Sequence, residues 1–178
     1  EETIVDVDLG SLPASLEVTV TYRGNVVSNL CQLTVATPGQ PAQVVGAPVD
    51  GKVFRYSSNP GTVDLNVTYK GLVSVDKAVP GVELVGGRTT PVEVKLDDVL
   101  GNLRVRVTAG GRDVTSEAKV VAARGNTNLE LPYVYGVREG LVPPAVYAVT
   151  ASYRGIESDM YEAYVKPGEL TELTIDVR

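Results

Sequence analysis

The chain has 178 residues, 43% of them hydrophobic, with 18 Gly and 11 Pro, a composition that sets a folded, turn-rich protein of one large or two small domains. Its 22 acidic residues against 16 basic ones give a net charge of -6, a field that repels phosphate backbones, so no nucleic acid partner is expected. With no His, no Trp and a single Cys there is no Ser-His or Cys-His pair, no imidazole metal site and no intrachain disulfide; an enzyme, a metal and a cofactor are not expected.

In chain order, Thr3-Ile4-Val5-Asp6-Val7-Asp8-Leu9 comes first, alternating Val5, Val7 and Leu9 with Asp6 and Asp8 at the period of a strand with one buried face. Alternating segments separated by Gly, Pro or Asn turns follow near 16–22, 26–36, 42–47, 51–56, 62–69, 72–79 and 91–96. The set then recurs near 103–108, 113–123, 127–131, 133–138, 145–153, 156–165 and 170–177. Val dominates the apolar residues and Thr and Tyr are frequent, so strands are expected throughout and no helix. Cys31, within Leu30-Cys31-Gln32-Leu33, reads as a small buried apolar residue. The scarcity of Cys, Met and Gln fits a thermophilic source. No apolar run reaches the roughly 20 residues of a membrane span. A start at Glu1-Glu2 without Met reads as a processed or excised segment.

The recurrence is a true internal repeat. Leu16–Gly24 aligns with Leu103–Gly111, Val27 with Val114 and Leu33–Ala36 with Val120–Ala123, all at an offset of 87. Farther on, Asn59–Gly71 aligns with Pro143–Gly155. The expected fold is therefore all-β: two tandem antiparallel seven-strand β-sandwich domains, 10–96 and 97–178, preceded by an extra N-terminal strand in 1–9. Within the repeat, Pro60-Gly61-Thr62-Val63-Asp64-Leu65-Asn66-Val67 and Pro143-Pro144-Ala145-Val146-Tyr147-Ala148-Val149 resemble the Pro-Pro-Gly-x-Tyr-x-Val signature of prealbumin-like, or carboxypeptidase-regulatory-like, domains. The first copy has Val63 where the signature has Tyr, and the second has Ala145 where it has Gly. The resemblance implies an Ig-like sandwich used as a spacer or assembly module on cell surfaces, with no catalytic residues.

Residues 3–9 also align at offset 87 with Thr90–Leu96, the close of the first domain, and a third copy is read at Thr174–Arg178. Two domains thus have three closing strands. The surplus strand either pairs within its own domain, belongs to an array from which the chain was excised, or completes a sheet of another copy by donor-strand exchange. Burying Ile4, Val5, Val7 and Leu9 contributes about 6–12 kcal/mol, against an association cost of about 4–15. A contact of this type does not close on itself and gives a fibre.

Tyr22-Arg23-Gly24, Tyr69-Lys70-Gly71 and Tyr153-Arg154-Gly155 read as strand ends followed by turns in which Gly supplies positive φ. Asn66-Val67-Thr68 is a sequon, with Asn66 a possible N-linked glycan acceptor on the exposed face. The acid pairs Asp6/Asp8, Asp97/Asp98 and Glu157/Asp159 lack the spacing of a calcium loop and read as solvent-facing. The expected function is that of a structural subunit of an extracellular cell-surface filament, a pilus-like homopolymer of head-to-tail copies. Its assembly strand is Thr3, Ile4, Val5, Val7 and Leu9. The alternatives are a spacer or adhesive repeat of a larger surface protein and a carbohydrate-binding accessory module.

Overall fold

A computed structural model describes residues 12–178. The chain forms two compact units, one of residues up to Tyr69 with Asp76–Lys95, the other of Lys70–Val75 with Leu96–Arg178.

In the first unit, β1 (Ala14–Tyr22) is the middle of one sheet. It pairs antiparallel with β2 (Asn25–Val26) and β5 (Val53–Ser58), and parallel with β8 (Thr89–Lys95). The other sheet runs β4 (Gln43–Val44), β3 (Cys31–Ala36), β6 (Gly61–Lys70), β7 (Ser74–Leu84). Each sheet has one apolar face because the sequence alternates: Leu16, Val18 and Val20 of β1 are buried, as are Leu33 and Val35 of β3 and Val63, Leu65 and Val67 of β6.

The second unit repeats the plan. β9 (Gly101–Ala109) pairs antiparallel with β10 (Arg112–Asp113) and β14 (Val137–Val142), which pairs in turn with β13 (Tyr133–Val134); β18 (Leu170–Val177) lies parallel to β9. Facing this sheet are β12 (Thr127–Glu130), β11 (Lys119–Arg124), β15 (Ala145–Tyr153), β16 (Ile156–Glu157) and β17 (Tyr161–Val165). One hydrophobic core joins the two sheets, with Leu103, Val105 and Val107 from one and Val120, Tyr147 and Val149 from the other.

The chain is all-β among its described residues, with a single 3-10 turn at Ser28–Leu30. Three expectations need correction. The described strands number eight in the first unit and ten in the second, because two-residue pairings beside hairpins add to the long strands. The sheets are not wholly antiparallel, since β8 and β18 each lie parallel to the first strand of their unit. And the closing strand of the second unit is out of register with the copy read at Thr174: Leu16 faces Thr90 and its repeat Leu103 faces Thr171, so the copy begins three residues earlier. Thr171-x-Leu173-x-Ile175-x-Val177 then matches Thr90-x-Val92-x-Val94-x-Leu96 position by position.

Of the three Tyr-x-Gly turns, two fit the expected geometry, with Arg23 and Gly24 at φ 49° and 75° and Arg154 and Gly155 at 51° and 82°. Gly71 has no positive φ, and its turn is instead part of Lys70–Val75 in the second unit.

A second shared device is a hydroxyl substituting for a strand partner. The Val20 N–H donates to buried Ser28 Oγ at 2.9 Å, and its repeat, the Val107 N–H, donates to buried Thr115 Oγ1 at 2.9 Å. Ser28→Ala is expected to leave a buried N–H unpaired and to destabilise the first unit by about 1–2 kcal/mol in urea unfolding, whereas Ser28→Thr keeps the acceptor and most of the stability.

Candidate functional site

The assembly residues Thr3, Ile4, Val5, Val7 and Leu9 lie outside the described residues. Their two sequence counterparts are described, and both fill the same seat: β8 beside β1 and β18 beside β9. Among the described residues, the sheet edges differ in how they are blunted. β7 carries Lys77 and Pro80, β8 carries Pro91 and Lys95, and β4, β12 and β17 are two, four and five residues long. β18 is an eight-residue edge with neither Pro nor Lys, and its pairing among the described residues is with β9 alone. Lys and Pro are the residues that most discourage strand addition; the six-residue edge β5 also lacks both but carries Arg55, and β18, with Glu172 and Asp176 as its charges, is the longest described edge without them and the one we take as best suited to accept another strand.

The sequon lies on β6. Asn66 is half-buried, its Nδ2 donates to Asp76 Oδ1 at 3.3 Å, and the Thr68 hydroxyl donates to the same oxygen at 2.5 Å. Both polar groups of the sequon are thus held by one carboxylate from β7. Alternation alone placed Asn66 on the outer face but gave no sign of Asp76.

The outer face of the β14-β9-β18 sheet carries a charged network that sequence reading missed. Arg104 on β9 donates to Glu139 Oε2 on β14 at 2.8 Å and to Glu172 Oε1 on β18 at 3.2 Å, while Asn102 Nδ2 donates to Glu139 Oε1 at 2.8 Å. The partners stand 35, 68 and 37 residues apart, and only the register brings them together. Burial alone would raise the Glu139 carboxyl, but the Asn102 and Arg104 hydrogen bonds and the guanidinium charge outweigh it and hold the group below the ordinary glutamate value. A lowered folded value adds stability above the unfolded pKa of about 4.3, lost as pH falls through the folded one. Glu139→Gln is therefore expected to cost about 1 kcal/mol at pH 7, and the gap to the parent should close as unfolding is followed down toward pH 3.

Cys31 is half-buried, with Sγ 3.3 Å from the Val27 carbonyl oxygen, and burial pushes its thiol up to about 11, which leaves it unreactive near neutral pH. Glu157 and Asp159 are exposed, and no group of three His, Cys, Asp or Glu that could hold a metal occurs among the described residues. No helix among the described residues is long and apolar enough to cross a membrane.

The concave feature of the first unit is a cleft of about 450 Å³ at the end of the sandwich, between the loop after β3 and the turn joining β5 to β6. Gln40, Gln43, Tyr56, Ser58, Asn59 and Thr62 contribute to its walls. The Tyr56 hydroxyl donates to Gln43 Oε1 at 3.5 Å. Nothing in the strand periodicity pointed to these residues.

No family model matches the chain, and no curated protein matches it in sequence. Among solved structures it is similar to the Bacillus anthracis TIE protein, with a TM-score of 0.39 and 14% identity over 93% of this chain and 34% of that one. It is similar also to a DUF3823 family protein from Parabacteroides merdae, with a TM-score of 0.40 and 15% identity over 88% of this chain and 98% of that one. The minor pilin GBS52 of Streptococcus agalactiae gives a TM-score of 0.36 and 10% identity over 92% and 95%. The chain spans about a third of the TIE protein's length, and at these scores the likenesses carry no functional argument.

Proposed function

We propose that the chain is a structural subunit of an extracellular cell-surface filament, its copies joined head to tail when residues 3–9 of one add a strand to the free edge of β18 in the next. The observation that carries this is the eight-residue edge of β18, which has neither Lys nor Pro. Addition outside β18 leaves both sandwiches intact, whereas the seat of the counterpart strands is already filled in each unit. Such a contact is heterologous and propagates into a fibre.

Filled seats also favour a second reading, a spacer in an array of such domains, where residues 3–9 close a sandwich of the same polypeptide. Sedimentation and negative-stain electron microscopy separate the two. The full chain is expected to polymerise with rising concentration, and a variant lacking residues 1–9, or carrying Thr174→Lys on β18, to remain monomeric with an unchanged Tm. A full chain that stays monomeric at millimolar concentration, or polymerisation undiminished by the truncation, eliminates the filament. An N-linked glycan on Asn66 belongs to this reading as an addition made before Asp76 engages the sequon, and intact-mass measurement of exported material checks it.

A further inference from the structure

We propose that the cleft of the first unit is a binding site for a short neutral saccharide. The fold builds a recess at this end of both sandwiches, but the two linings differ in chemistry. Strand registers set the equivalences: Val35 faces Gln43 and Leu65, and its repeat Ala122 faces Leu129 and Val149. Gln43 therefore corresponds to Leu129, Asn59 to Pro143 and Val63 to Tyr147.

In the second unit the Tyr147 ring is buried and its hydroxyl donates to the Pro143 carbonyl oxygen at 2.8 Å. Leu129, Pro143 and Tyr147 give that recess an apolar wall, with Arg124 and Thr127 at its side. In the first unit Val63 stands where the ring would be, and the polar side chains Gln43 and Asn59 replace Leu129 and Pro143. Because one backbone plan tolerates both linings, the amide-rich lining of the first unit is not a requirement of folding.

Its chemistry selects the ligand. Among the described residues no charged one lines the cleft, so an ionised ligand would lose hydration with none of them to replace it. Gln40, Gln43 and Asn59 each offer a carbonyl acceptor and an NH₂ donor, and Ser58 and Thr62 offer hydroxyls. Groups that both donate and accept match sugar hydroxyls, which do the same. The half-exposed Tyr56 ring adds an apolar surface for sugar C–H groups, and the cavity volume lies in the ordinary range for small-ligand sites. A peptide is a poorer match, since its main chain is best met by one continuous strand edge, whereas the polar lining residues come from separate stretches within 37–43 and 56–63.

The experiment is an amide-resolved NMR titration of the full chain with cellotriose, maltotriose and tri-N-acetylchitotriose, with the neutral peptide Ala-Gly-Ala-Gly as a separate arm. At least one saccharide is expected to shift Gln40, Gln43, Tyr56 and Asn59 saturably. Tyr56→Ala is expected to weaken that binding at least tenfold. Val63→Tyr, which imports the ring of the second unit, is expected to abolish it with a Tm within a few degrees of the parent. The proposal is overturned if none of the three sugars shifts these residues at tens of millimolar, if both variants bind as the parent does, or if the peptide alone produces the shifts. Should Val63→Tyr fail to fold, the partly exposed Tyr56→Ala decides the matter alone.

Discussion

Gly101→Ala is expected to destabilise the second unit by about 3 kcal/mol and to lower its Tm by about 10–20 °C, measured by calorimetry or urea unfolding. The internal repeat suggests the opposite, because the matching residue of the first unit is Ala14, itself fully buried, and a consensus change from Gly to Ala in a strand ordinarily adds stability. Gly101 does not adopt a left-handed φ, so backbone conformation raises no objection. The objection is space: a Cβ at Gly101 would overlap both the Lys166 carbonyl oxygen and Val165 Cγ1. The connection from β17 to β18 is pinned there by the Gly168 N–H donating to the Leu100 oxygen at 2.8 Å and the Asn102 N–H to the Glu169 oxygen at 2.9 Å, so it cannot retreat without losing hydrogen bonds. A neutral or stabilising outcome would mean that this connection yields freely.

Tyr147→Ala is expected to cost about 3–5 kcal/mol, and Tyr147→Phe only about 1. The ring is 1% exposed in the core of the second unit, and truncation leaves a cavity among side chains of both sheets. The Phe variant keeps the packing and loses the hydroxyl's hydrogen bonds, to the Pro143 carbonyl and with Arg124. Equal losses for Phe and Ala would place the importance of this residue in its hydroxyl rather than in its ring. The first unit dispenses with both at Val63, and there the corresponding recess holds polar side chains.

What could be read in the sequence was what alternation and repetition encode. Period-two burial follows directly from Leu and Val at every second position of β1 and β9 and from Tyr147, Val149 and Ala151 of β15, and the 87-residue offset holds between β1 and β9, while β18 follows β8 by 81 residues. Alternation does not state which neighbour a strand takes or in which direction it runs, so the parallel seats of β8 and β18 were not visible. Nor does it set register in a short valine-rich segment, where a slip from Thr171 to Thr174 still leaves apolar residues in plausible places. The Val63 departure from the signature was visible, but its consequence was not, because an open recess depends on side chains from a distant loop and turn. Arg104, Glu139 and Glu172 were illegible for the same reason.

The parallel seat has a mechanical consequence. In each unit the entering strand and the leaving strand lie side by side and run the same way, over seven register pairs between β1 and β8 and eight between β9 and β18. Tension applied through the two ends of a unit draws these strands lengthwise past each other, so the cross-links between them bear the load in shear, together, instead of being unzipped one after another. Each sandwich is thereby built to stay closed under a pull along the chain.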